Sequence, residues 1–220
     1  MQPSDQPQTI PALVEAQARR TPDAIAMLAP GRKPLSYRLL YQHIEQTVAT
    51  LNQLGIGRGD RVALVLPDGP VMALALLSVG SGTTALPLSP TLRREDYEYL
   101  FTKSKIRVLL IEAGSESPAK AAAEALNLQV LDVVIAPDAP AGLFSIGGVT
   151  DNPTTPPVFA QPGDIFQFLI TSGTTGRPKL VPRHHEAWCT ITSIWSDAFQ
   201  LTVQDKYLSF IAVNYSSGFF

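Results

Sequence analysis

A single cysteine, Cys189, stands in 220 residues. It excludes an intramolecular disulfide and any multi-thiolate zinc or iron–sulfur site within the chain. A reducing, cytoplasmic location is therefore expected. Charge is scarce as well: 16% of residues are Asp, Glu, Lys or Arg, against about 25% in ordinary soluble domains. Seventeen basic residues oppose 19 acidic ones, a formal charge of −2, so no overall basic field exists to hold a nucleic-acid backbone. Any anion has to be met locally. Unbroken apolar runs of membrane-spanning length are absent too. The longest uncharged stretch, 69–92, is interrupted by Pro70, Gly80, Gly82, Pro87 and Pro90, which a spanning helix of about 20 apolar residues does not accommodate. The polar start, 1–9, with Pro3 and Pro7, lacks the basic and apolar regions of a secretory signal, so no export is expected. Hydrophobic residues nevertheless make up 45%, enough for a sizeable core and against disorder. Few charges at this length carry one more expectation: part of the surface is covered by protein outside this chain.

Along the chain, the first 55 residues read as two helices around a short hairpin. Thr9 and Pro11 start the first helix, and Ser36 caps the second. Leu40, Ile44, Val48, Leu51 and Leu54 give that second helix one apolar stripe, which Gly55 ends. Residues 24–28 and 33–37 flank the turn pair Pro30-Gly31. From Arg61 onward, strands alternate with helices: strands at 61–66, 84–88, 106–111 and 130–135, helices at 70–79, 93–101 and 117–126. This repetition predicts an α/β fold with a mostly parallel, doubly wound sheet flanked by helices. Residues 137–163 hold six prolines and four glycines and read as an irregular surface connection. A strand at 164–170, a brief extended piece, a helix at 185–199 and a further strand at 207–211 follow.

The chemistry concentrates directly after the 164–170 strand, in Thr171-Ser172-Gly173-Thr174-Thr175-Gly176-Arg177-Pro178-Lys179. Glycines let backbone N–H groups approach an anion, hydroxyls donate hydrogen bonds, and Lys179 supplies a positive charge. These are the parts needed to hold a polyphosphate. The ordinary P-loop spacing is not met, because Pro178 stands where G-x-x-x-x-G-K-[ST] needs glycine.

This nonapeptide closely resembles T-S-G-[ST]-T-G-x-P-K, the phosphate signature of the adenylate-forming (AMP-binding) superfamily of acyl-CoA synthetases, nonribosomal-peptide adenylation domains and luciferases. His185 falls where that family often has a histidine. Upstream, Leu35 to Arg38, Gly57 to Ala63, Ala73 to Leu88 with Pro90, and Arg94 with Tyr97 to Leu100 are similar to its opening elements. The resemblance covers nearly the whole chain. It implies residues 1–220 as the amino-terminal part of the large AMP-binding domain: a first α/β unit at 1–136, the connection at 137–163, and a phosphate-loop unit at 164–220. The carboxy-terminal lid domain and the later motifs are missing.

The activity implied is ATP-dependent. A carboxylic acid is converted to an acyl adenylate and pyrophosphate with Mg2+ accompanying ATP, and a thiol of CoA or of a carrier protein's phosphopantetheine then takes the acyl group. Thr171, Ser172, Gly173, Thr174, Thr175, Gly176 and Lys179 are implied as the nucleotide-phosphate site, and Tyr215 and Gly218 as substrate-pocket positions. Leu180 replaces the glycine common after the lysine, and Tyr215 stands where a histidine is frequent; the first departure leans toward acyl-CoA ligase-like members. Amino-acid adenylation in a peptide synthetase and a noncatalytic nucleotide-binding or interaction module are the alternatives. The fragment alone is expected to be inactive.

Other chemistry-bearing residues carry plainer readings. His43, His184 and His185 lack partners at metal-ligand spacing apart from Glu186, so exposed or helix-capping roles are expected and no protein metal site. Trp188 and Trp195, seven apart, read as core, Asp60 as a turn residue and Cys189 as a buried small hydrophobe.

Overall fold

The computed structural model describes residues 7–149, 153–171, 178–209 and 211–213. The chain opens with α1 (Ile10–Arg20), where Thr9 Oγ1 accepts the Ala12 N–H at 3.3 Å and Pro11 sits in the first turn. A small antiparallel pair, β1 (Ile25–Met27) and β2 (Leu35–Ser36), leads to α2 (Tyr37–Gln53). Ser36 Oγ caps α2 by accepting the Leu39 N–H. Both caps are the side-chain acceptors that the sequence predicts, satisfying amides that have no partner within the helix.

The main sheet is built next: β3 (Arg61–Val65), α3 (Pro70–Gly80), β4 (Thr84–Leu88), α4 (Arg94–Ser104), β5 (Val108–Glu112), α5 (Pro118–Ala125) and β6 (Gln129–Val134). A two-residue strand β7 (Ser145–Ile146), then β8 (Ile165–Thr171), β9 (Lys179–His184) and α6 (His185–Ala198) complete it. The strand order is β7-β6-β5-β3-β4-β8-β9. The five central strands run parallel, and the two edge strands β7 and β9 are antiparallel to their neighbours. Pro182 lies on β9, an edge, where a missing N–H costs no ladder bond on the solvent side.

Alternation along β3 and β5 divides the core into two layers. Val62 and Leu64 with Val108 and Leu110 pack toward the α2 and α3 residues Ile44, Val48, Leu74 and Leu76. Ala63 and Val65 with Leu109 and Ile111 pack toward Tyr97, Leu100 and Phe101 of α4 and the alanines of α5. Each large aliphatic side chain so buried contributes about 1.5–3 kcal/mol. α3 is buried nearly all round, since Met72, Leu74, Ala75, Leu76 and Val79 have no exposed surface.

Differences from the sequence expectation are local. Residues 137–163 contain β7, a strand too short to leave a periodic signal. Among the described residues of 207–211 there is no strand: Tyr207 and Leu208 are 71% and 79% exposed, and an apolar run forms a strand only where a neighbour completes its ladder. The seven-apart tryptophans also part company: Trp188 is buried and Trp195 is 42% exposed on α6. Among the described residues no helix is long and apolar enough to cross a membrane.

Candidate functional site

β8 is the strand that delivers the signature. It enters the sheet beside β4 through the single registered pair Ala85–Gln167 and carries the buried residues Phe166, Gln167, Phe168 and Leu169. It ends at Thr171, at the carboxy side of the parallel strands, where open α/β sheets bind ligands. β9 returns antiparallel to it, and the register places Thr171 opposite Lys179. The first hydroxyl and the lysine of the signature are therefore held side by side on the tip of a hairpin, and both residues are exposed. Ser172, Gly173, Thr174, Thr175 and Gly176 lie outside the described residues, as do Tyr215 and Gly218.

A second cation reaches the same tip. Lys103, on the last turn of α4, donates from Nζ to the Pro178 carbonyl at 3.4 Å and to Tyr99 Oη at 2.8 Å. Sequence reasoning missed it, because 75 residues separate Lys103 from Pro178. Its spacing from Tyr99 at i, i+4 on a helix was the only local signal available. Hydroxyl groups also gather past the end of β4, where Ser89 Oγ and Thr91 Oγ1 share a hydrogen bond at 2.9 Å and the Ser89 carbonyl accepts from Tyr97 Oη at 2.6 Å.

The opposite end of the hairpin is pinned. Arg58 forks onto the Asp164 carboxylate, Nε to Oδ2 at 2.6 Å and Nη2 to Oδ1 at 3.1 Å. That hydrogen bonding holds the Asp164 carboxyl below its ordinary range. Thr84 Oγ1 donates to the Ile165 carbonyl at 2.8 Å.

The histidines correct the expectation of exposed or capping roles. His43 and His185 are 7% and 0% exposed, and burial pushes both imidazoles down to about 4. His184 Nδ1 lies 2.8 Å from the Gly163 carbonyl, and as the residue preceding α6 it makes no side-chain cap. Cys189 is half-buried and burial pushes its thiol up to about 11, the state of an unreactive packing residue. Asp60 does act in a turn, accepting the Gly57 N–H at 2.9 Å, and also pairs with Arg107 at 2.7 Å. Among the described residues, no three His, Cys, Asp or Glu side chains gather where they could hold a metal ion.

Comparison with known proteins matches residues 14–219 to the model of a family described as AMP-binding enzyme. A "Nonribosomal peptide synthetase 8" of Aspergillus fumigatus is 30% identical over 98% of this chain and 2% of its own length. An "Oxalate--CoA ligase" of Arabidopsis thaliana is 31% identical over 79% of this chain and 34% of its own. Among solved structures, ATP-bound MatB from Rhodopseudomonas palustris superposes with a TM-score of 0.80 at 19% identity, covering 97% of this chain and 42% of that one. The chain thus spans a small part of the peptide synthetase and about a third of the ligase.

Proposed function

Because the chain belongs to the AMP-binding enzyme family, we propose that it is the amino-terminal part of an ATP-dependent carboxylate-activating enzyme of acyl-CoA ligase-like type. In this reading a substrate carboxylate oxygen attacks the α-phosphorus of ATP, the bond from that phosphorus to the bridging oxygen breaks, and pyrophosphate leaves with the electron pair. A thiol of CoA or of a carrier phosphopantetheine then attacks the acyl carbon, AMP departs, and the thiol proton passes to solvent. Mg2+ enters with the nucleotide as part of the substrate.

One observation carries the reading: Thr171 and Lys179 are register partners on the tip of a hairpin at the carboxy end of a parallel sheet. Charge on the transferred group and on the leaving pyrophosphate resides on oxygens, so the protein contributes mainly positioning and electrostatic stabilisation. Lys179 would neutralise the β- and γ-phosphates, and Thr171, Ser172, Gly173, Thr174, Thr175 and Gly176 would supply hydroxyl and amide donors to them. Tyr215 and Gly218 are carried as pocket positions on motif alone. Amino-acid adenylation within a peptide synthetase is the second reading, favoured by the 30% identity to such a synthetase over 98% of the chain.

Carboxylate-dependent exchange of pyrophosphate into ATP tests the proposal in the full-length protein. Lys179→Ala is expected to lower exchange by about 10- to 100-fold, the scale of one charge-assisted contact. A panel of fatty, aryl and amino acids separates the two readings. Unchanged exchange in Lys179→Ala would count against both.

A further inference from the structure

The hairpin that carries Thr171 and Lys179 is attached to the rest of the molecule unevenly. On the ladder side, β8 meets β4 at one registered pair, Ala85–Gln167. Phe168 and Leu169 are buried mid-strand and Lys103 reaches the Pro178 carbonyl at the tip, while the base, around residues 164–166 and 184–185, carries the Arg58, Thr84 and His185 hydrogen bonds, with Phe166 and His185 both fully buried.

Every polar group of His185 that can reach a neighbour is engaged. Its backbone N–H donates to the Asp164 carbonyl at 3.1 Å. Its Nδ1 accepts the backbone N–H of Ile10, in the first turn of α1, at 3.2 Å. That assigns the ring proton to Nε2, which donates to the carbonyl of Gly80, the last residue of α3, at 3.1 Å. The ring edge also packs on Phe166 of β8, centroids 5.2 Å apart at 68°. The neutral ring thus joins four elements through one side chain: α1, α3, β8 and the start of α6. Protonated at both nitrogens, it would face the Ile10 N–H with a second donor. The charged groups acting on it are Asp164, which favours the cation, and His184, which opposes it; α1 and α3 present only the Ile10 N–H and the Gly80 carbonyl.

We infer that His185 is a positioning residue for the nucleotide hairpin: by fixing the base of β8 and β9 against α1 and α3, it sets where Thr171 and Lys179 stand. The inference rests on the reading of that tip as a phosphate site. Leverage makes the base matter. Thr171 lies five residue steps along β8 from Phe166, about 17 Å at about 3.4 Å per step, so a tilt of about 5° at the base moves the tip by about 1.5 Å. Displacement on the order of 1 Å at a reacting centre is enough to cost about a hundredfold in rate.

The test measures half-saturating ATP and half-saturating carboxylate in pyrophosphate exchange, together with thermal midpoints, in the full-length protein. His185→Ala is compared with Leu110→Ala, a core truncation in β5, and with Lys179→Ala. His185→Ala is expected to raise half-saturating ATP by about tenfold while half-saturating carboxylate stays within about twofold, and Leu110→Ala to lower the thermal midpoint without shifting either. His185→Asn, which keeps an acceptor for Ile10, and His185→Gln, which keeps a donor for Gly80, are each expected to lie between wild type and His185→Ala. They carry the comparison alone if His185→Ala does not fold. Equal ATP half-saturation in the His185 variants and in Leu110→Ala overturns the inference. If Lys179→Ala leaves ATP half-saturation unchanged, it is the phosphate-site reading that falls.

Discussion

Thr171 and Lys179 stand opposite one another at the open end of the β8–β9 ladder, so the two ends of the glycine- and hydroxyl-rich segment are fixed relative to each other before any ligand arrives. Lys103 reinforces that end through the Pro178 carbonyl. Lys103→Met is expected to raise half-saturating ATP about two- to fivefold with little change in thermal midpoint, because an exposed contact contributes about 0.2–1 kcal/mol. Exchange kinetics across an ATP series check this; an unchanged ATP requirement would remove Lys103 from the site.

The strands β3 and β5, and the caps Thr9 and Ser36, were legible in the sequence because each rests on local chemistry: a short apolar run between helical patterns, or a hydroxyl three residues ahead of an amide. Burial of His43 and His185 was not legible, since it depends on Phe144 stacking edge-on at 4.5 Å in one case and on residues 10 and 80 in the other. The same holds for Trp195, whose spacing from Trp188 fits one helix face while α6 buries only its first turns. At the candidate site, Thr171 and Lys179 were named from residue types and from the resemblance of the signature they delimit, but their pairing required the register, and Lys103 required the packing of α4 beside the hairpin.

Acid sensitivity follows from the two buried imidazoles. Both are pushed down to about 4 from 6.5 by burial, so the unfolded chain takes up protons below pH 6.5 while the folded chain does not. Their stabilising contribution is complete above pH 6.5 and is lost as pH falls from there toward 4, at about 1.4 kcal/mol per pH unit for each histidine. Urea unfolding at pH 7, 6 and 5 is expected to show midpoints falling with pH. His43→Gln is expected to be less stable at pH 7 but to show a shallower decline. A midpoint independent of pH over this range would contradict the burial of these rings.

Gly80 supplies a packing test of the hairpin base. A Cβ built there would come within 2.5 Å of the Phe166 ring, while one at Gly82 would come within 2.7 Å of a Val48 methyl. Both Gly→Ala changes overpack the core and are expected to cost about 1–3 kcal/mol. Only Gly80→Ala presses on β8, so it alone should also raise half-saturating ATP. Equal ATP requirements in the two variants would sever the link between Phe166 and the tip.

The sparse charge of the sequence has its counterpart on the surface near α6. Phe199, Val203, Tyr207 and Leu208 are 67%, 87%, 71% and 79% exposed, more apolar surface than a solitary soluble domain usually presents in one segment. A protein consisting of residues 1–220 is therefore expected to bind a hydrophobic dye and to associate with increasing concentration. Phe199→Ser with Leu208→Ser should reduce both, as read by fluorescence and sedimentation. A monodisperse, dye-silent chain would show this face to be covered already.

The central claim is that the hairpin tip holds the outer phosphates of ATP, and chemical protection of Lys179 tests it directly. Acylation of Lys179 by a lysine-selective reagent, followed by mass spectrometry of the full-length protein, is expected to be suppressed by ATP and by pyrophosphate but not by AMP. Equal labelling of Lys179 with and without saturating ATP would contradict the account.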